Sequence, residues 1–196
     1  MIQVLDSFIS DKIAAGEVIE RPLSIVKELV ENSIDAGADS IVVEIRNGGK
    51  SYIRVTDNGC GIPAEEAEIA FERHATGKIQ TLEDLGHIDT LGFRGEALAA
   101  IAAVSELRII TRTADAEYGS VLVSKGGEVI SVTEQGAPVG TTVIVENLFG
   151  NVPARRKFLK KDVSEAIAVT TYTEKIALSH PEIALRLIVD GTVRLD

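Results

Sequence analysis

Asp57 closes an apolar stretch, Ile53 to Val55, and opens the turn Asp57-Asn58-Gly59-Cys60-Gly61. Two glycines so close behind an acid let a flat ligand approach the backbone. A carboxylate accepts hydrogen bonds and donates none. It would therefore pair with the exocyclic amine of adenine and repel the carbonyl that guanine carries at the same position. An Asx turn closing a strand explains the same residues. A second candidate is Leu91-Gly92-Phe93-Arg94-Gly95-Glu96-Ala97-Leu98, where a glycine-containing loop runs into a helix whose first N–H groups suit phosphate oxygens. No G-x-x-x-x-G-K-[ST] loop occurs, since Gly77-Lys78 is followed by Ile79, and no G-x-G-x-x-G follows a strand. Any phosphate cradle is of another kind. The third candidate is Glu28, Asn32 and Asp35. At 100° per residue a helix places them within about 60° of one another, opposite Ile25, Val26, Leu29, Val30 and Ile34. Two acids and an amide then share one face, a pattern that also describes an amphipathic helix with a solvated side.

The elements that must position these groups follow from periodicity and turn residues. A helix is expected over 22–35, with Pro22 in its first turn and Gly37 as its stop. Strands over 41–45 and 52–55 are joined through Asn47-Gly48-Gly49 as a hairpin. A helix over 65–74 precedes a stretch, 75–94, with weak periodicity and three glycines, which reads as a lid or an irregular loop. Then come an alanine-rich helix over 95–104 and strands over 107–113, 121–124, 129–132 and 141–146, with Gly126-Gly127 as a turn. Helices over 155–161 and 163–178 lead to a last strand pair around Asp190-Gly191. Hairpin-linked strands set between helices predict an α+β, two-layer α/β sandwich with a mixed, mainly antiparallel sheet and helices on one face.

At 196 residues, with 45% apolar and 26% charged side chains, the chain reads as one globular domain. No apolar run approaches the roughly 20 residues that span a bilayer, and the opening M-I-Q-V-L-D-S-F-I-S-D-K lacks the pattern of a secretory leader. The single cysteine, Cys60, excludes an internal disulfide and fits a reducing compartment. A net charge of -10 argues against a grip on DNA by overall charge. Arg155, Arg156, Lys157, Lys160 and Lys161 are the one dense basic run, readable as a local DNA contact or as a solvated helix face. His74, His87 and His180 show no metal-ligand spacing.

The motifs stand in a fixed order: E-L-V-E-N-S-I-D-A-G, D-N-G-C-G-I, H-A-T-G-K, L-G-F-R-G-E-A-L and G-T-T-V. In this order they resemble the gyrase, chaperone, histidine-kinase and MutL (GHKL) ATPase superfamily, whose fold is the Bergerat fold. I-A-A-G-E-V-I-E-R-P and G-F-R-G-E-A-L are similar to the MutL family of bacterial DNA mismatch-repair proteins in particular, and the resemblance runs from Ile2 to the end. It implies an ATP-binding, slowly hydrolysing switch. Glu28 resembles the general base that orients the attacking water, and Asn32 the protein ligand to Mg²⁺. Asp57 resembles the adenine reader and Thr142 a second adenine-side contact, with Ala36 and Gly61 in the same nucleotide-binding set. Thr76, Gly77 and Lys78 resemble part of the lid, about 75–95, and Gly92, Phe93, Arg94, Gly95, Glu96, Ala97 and Leu98 would wrap the phosphates.

The resemblance further implies an N-terminal arm, about 1–19, that pairs two copies when ATP is bound. It implies mismatch-recognition, strand-incision and helicase partners, DNA bound weakly or through a full-length dimer, no membrane, and a bacterial cytoplasm with association to the nucleoid. MutL-like proteins continue into a second, transducer domain, which supplies a lysine to the γ-phosphate, and a C-terminal dimerisation domain. This chain is thus expected to be a fragment with very weak hydrolysis. Gly150 departs from the family, which usually has an aromatic there, and puts the packing of that loop in doubt. The competing expectations are a nucleotide-binding module without turnover, or an ATPase domain of a type II topoisomerase or heat-shock chaperone. A histidine kinase fits less well, because no separate phosphoacceptor helix is evident.

Overall fold

The computed structural model describes residues 15–72, apart from 17 and 68, and residues 95–196. The first long element is helix α1, Pro22–Asp35. Proline suits its first position, where the N–H would have no helical partner. Arg21 stands before it in extended backbone, and Ala36 and Gly37 end it. Ile25, Val26, Leu29 and Val30 are buried as the periodicity requires, and Ser33 is buried with them.

Strands β1 (Ser40–Arg46) and β2 (Tyr52–Asp57) pair antiparallel across the Asn47–Gly49 turn. After the short helix α2 (Ala64–Ala67) and helix α3 (Ala97–Ala103) come β3 (Glu106–Arg112), β4 (Gly119–Lys125), β5 (Glu128–Gln135) and β6 (Gly140–Glu146). Helices α4 (Pro153–Arg156) and α5 (Asp162–Ser179) precede β7 (Ala184–Val189) and β8 (Thr192–Leu195). One eight-stranded sheet results, ordered β5-β4-β3-β6-β2-β1-β7-β8. Every neighbouring pair is antiparallel except β1 with β7.

Register puts Ile41, Val43 and Ile45 beside Leu185, Leu187 and Val189, and places Ile53, Val55, Val143, Val145, Leu107 and Ile109 on the same face. All are buried, together with Ile25, Leu29, Ile101 and Val169 from the helices. One side of the sheet thus carries the core, and each fully buried aliphatic contributes roughly 1.5–3 kcal/mol. The two-layer α+β sandwich is the architecture expected.

Two expected helices are shorter than their patterns. The one over 65–74 is α2 followed by a 3-10 turn, Ile69–Phe71. The one over 155–161 is the single turn α4: the Phe158 and Leu159 N–H groups reach carbonyls only three residues back, and the Lys160 N–H goes to Glu165 Oε1 at 3.0 Å. Glu165, only 1% exposed, also receives Arg21 Nε at 3.0 Å and Nη2 at 2.8 Å on Oε2. That pair fastens α5 to the head of α1. At Gly150 a side chain would collide with Asn147, and the neighbouring Phe149 fills the core with its N–H on the Val104 carbonyl at 2.8 Å.

Candidate functional site

The end of α1, the end of β2 and the start of β6 meet at Asp57. Its Oδ1 accepts the backbone N–H of Gly59 at 3.0 Å and of Thr141 at 3.1 Å. Its Oδ2 accepts the Ser33 hydroxyl at 2.9 Å, and that same hydroxyl lies 3.0 Å from the Leu29 carbonyl. One Asp57 oxygen is thus held by two backbone donors, and among the described residues only Ser33 donates to the other, which has a second lone pair. The bond to Gly59 is the Asx turn that the sequence allowed. The turn and a second acceptor oxygen are present together.

The loop after Asp57 packs without spare room. Gly61 has φ +76, and a side chain there would overlap the Arg112 carbonyl. Gly140 has φ +115 and abuts the Asp57 carbonyl. The Cys60 N–H bonds the Ala36 carbonyl at 3.0 Å, and a side chain on Gly59 would stand 2.8 Å from Ala36 Cβ. Glycine is required where the chain takes a left-handed turn against another backbone.

Thr142 sits elsewhere than the motif suggested. It pairs with Thr56, its hydroxyl 3.1 Å from that of Thr56, on the face of the sheet away from Asp57. Thr141 has the opposite parity and stands beside Asp57. The sequence carried the clue, since Val143 and Val145 are core residues and Thr141 shares their period. Ser33 was the other residue missed: a hydroxyl on the apolar arc of α1 must find a partner when buried.

Glu28, Asn32 and Asp35 are half-buried along α1. Tyr172 of α5 lies close enough to be affected by α1: burial, then the charges of Glu31 and Glu28, push its phenol above the ordinary range. Gly95, Glu96, Ala97 and Leu98 are half-buried where α3 begins, and α3 touches α1. Among the described residues no group of three His, Cys, Asp or Glu could hold a metal by itself.

Residues 17–148 match the family described as histidine kinase-, DNA gyrase B- and HSP90-like ATPase. The chain belongs to that ATPase family. Within it, the chain is 53% identical over 194 residues to the DNA mismatch repair protein MutL of Agathobacter rectalis, covering 99% of this chain and 30% of that protein. It is likewise 53% identical to MutL of Caldanaerobacter subterraneus subsp. tengcongensis, over 98% of this chain and 33% of that one. The chain therefore spans about a third of the length of these relatives. The Aquifex aeolicus MutL ATPase domain complexed with ADP superimposes with a TM-score of 0.77 at 36% identity, covering 91% of this chain and 63% of that chain.

For this ATPase domain, the structure gathers Asp57, Gly61, Ala36 and Thr141 in one place and sets Glu28 and Asn32 along the helix that ends there. Thr76, Gly77, Lys78, Gly92, Phe93 and Arg94 lie outside the described residues, as do His74, His87 and 1–14 of the arm. The basic run is partly committed to the fold. Arg155 is half-buried 6.0 Å over the Phe149 ring, with Nη1 3.5 Å from the Ile19 carbonyl, and its guanidinium fills the space beside Gly16. Arg156 Nη1 bonds Asn147 Oδ1 at 3.1 Å. Lys157, Lys160 and Lys161 are exposed. No helix among the described residues is long and apolar enough to cross a membrane.

Proposed function

We propose that the chain binds ATP with Mg²⁺ and hydrolyses it slowly, as a nucleotide-driven switch in mismatch repair. The observation that carries the reading is the Asp57 carboxylate, clamped by Gly59, Thr141 and Ser33, with an acceptor left beside a glycine loop. Adenine offers an amine to that acceptor and guanine a carbonyl, so adenine is chosen. Glu28, one turn before Asn32 on α1, accepts the proton of the attacking water and orients it. The Asn32 amide oxygen is a neutral, hard donor, the type a magnesium ion accepts when phosphates and waters fill its other positions. Bound Mg²⁺ supplies charge neutralisation at the phosphate oxygens. Gly95, Glu96, Ala97 and Leu98, with Gly92, Phe93 and Arg94 before them, hold the phosphates, and Thr76, Gly77 and Lys78 cover them.

The likeness to MutL supports ATP-dependent pairing of two copies, contacts with mismatch-recognition, strand-incision and helicase proteins, weak DNA binding, and work in the bacterial cytoplasm at the nucleoid. Calorimetric titration of this chain with a non-hydrolysable ATP analogue, with and without Mg²⁺ and beside GTP, tests the site. Selective, Mg²⁺-assisted binding of the adenine nucleotide is expected. Glu28→Ala is expected to keep that affinity and to lower hydrolysis about a hundredfold or more. Unchanged turnover in that variant would remove Glu28 as the base, and turnover absent from the unaltered chain would favour a binding module.

A further inference from the structure

Thr111 lies on β3, outside every motif quoted above, and is 1% exposed. Its Oγ1 accepts the Ile62 N–H at 2.8 Å. The same oxygen lies 3.0 Å from Thr141 Oγ1 and 3.2 Å from the Gly140 carbonyl. Ile62 follows Gly61, and Thr141 donates its N–H to Asp57. One hydroxyl therefore ties the glycine loop to the strand that clamps the carboxylate.

We infer that Thr111 is a positioning residue for purine selection, holding the Gly61–Ile62 backbone and setting which way the Thr141 hydroxyl presents its proton. The inference rests on the reading of Asp57 as the base-contacting acceptor. Thr111 Oγ1 has one proton and two lone pairs, and Ile62 occupies one lone pair. If the proton goes to the Gly140 carbonyl, Thr141 must donate to Thr111 and shows the ligand only lone pairs. If it goes to Thr141, the nearer acceptor, the Thr141 proton stays available to a ligand. Asp57 Oδ2 then offers an acceptor and Thr141 a donor. Adenine carries an amine beside a ring-nitrogen acceptor and matches both; guanine carries a carbonyl beside a ring N–H and matches neither.

The test compares Thr111→Val, which keeps shape and removes the hydroxyl, with Thr111→Ser, which keeps the hydroxyl. Each is titrated with a non-hydrolysable ATP analogue and its GTP counterpart. Thr111→Val is expected to weaken the ATP analogue about tenfold with little change for GTP, and Thr111→Ser to stay within about twofold of the unaltered chain for both. A merely structural role would weaken both nucleotides alike and leave their ratio unmoved. Thr141→Val removes the hydroxyl that Thr111 is argued to polarise, so it gives the same fall in ratio and covers the case in which Thr111→Val does not fold. Combined with Thr111→Val it adds nothing further. An unchanged ratio in Thr111→Val or in Thr141→Val, against a selective unaltered chain, overturns this inference alone. An unaltered chain without adenine preference overturns the reading of Asp57, and this inference with it.

Discussion

Asp57→Asn separates the two duties of the Asp57 side chain. The substituted amide keeps one oxygen, and the Gly59 and Thr141 N–H groups at 3.0 and 3.1 Å fix that oxygen in the Oδ1 position. The opposite flip would aim an NH₂ group at two donors. The amide nitrogen must therefore replace Oδ2. Ser33 adapts without loss, accepting from the new NH₂ while its proton turns to the Leu29 carbonyl at 3.0 Å. Every fold-holding bond keeps a partner, so stability should change by less than about 1 kcal/mol. On the proposed reading of Asp57 the ligand side is inverted, because a donor would face the adenine amine. Losing a hydrogen bond to a charged group costs about 1.5–3 kcal/mol, or roughly 10- to 150-fold in affinity. Calorimetric titration with ATP and GTP analogues reads the affinity, and a urea melt reads the stability. ATP affinity should fall by that factor, GTP should gain relative to it, and the urea midpoint should hold. A variant that binds ATP as tightly as the unaltered chain would refute the argument.

Arg21→Ala strands the Glu165 carboxylate, 1% exposed, without its cation. It should cost about 3 kcal/mol or more by urea denaturation, and Arg21→Ala combined with Glu165→Leu should be milder than Arg21→Ala alone; a more damaging double variant would contradict the pairing. Tyr172→Phe removes a buried hydroxyl that has no hydrogen-bond partner among the described residues, and should raise stability by about 1 kcal/mol at neutral pH. Burial, then Glu31 and Glu28, raise the folded phenol's pKa. The folded state therefore resists ionising this phenol, so the group adds no pH dependence below the unfolded value of about 10 and lowers stability as pH rises beyond it; the alkaline fall in stability between pH 9 and 11, read by thermal melts, should be shallower in the Phe variant.

Local chemistry was legible in the sequence wherever it depended on neighbours in the chain. Asp57 and its glycines, the apolar arc of α1 and the parity of β6 are all short-range patterns. The parity could have distinguished Thr141 from Thr142. What could not be read were the partners: Glu165 is an acid in an ordinary helix until Arg21, 144 residues away, lies against it. Thr111 was hidden for the same reason, since a threonine in a strand is unremarkable until Ile62, Gly140 and Thr141 surround its hydroxyl. The helix expected over 155–161 tightens after Arg156 into bonds three residues back, and a carboxylate from the next helix takes the Lys160 N–H.

The parallel pairing of β1 with β7 bears on how the chain emerges from the ribosome. Ser40 meets Ala184, so one flank of β1 stays without its β7 partner until residue 184 has been made. At roughly 5–20 residues per second that interval is on the order of ten seconds. The elements that hold Asp57 are complete once β6 has appeared, well before β7 pairs with β1. The nascent chain thus passes through a stage in which α1, β2 and β6 are all present around Asp57 while an unpaired strand edge is available to any neighbouring chain.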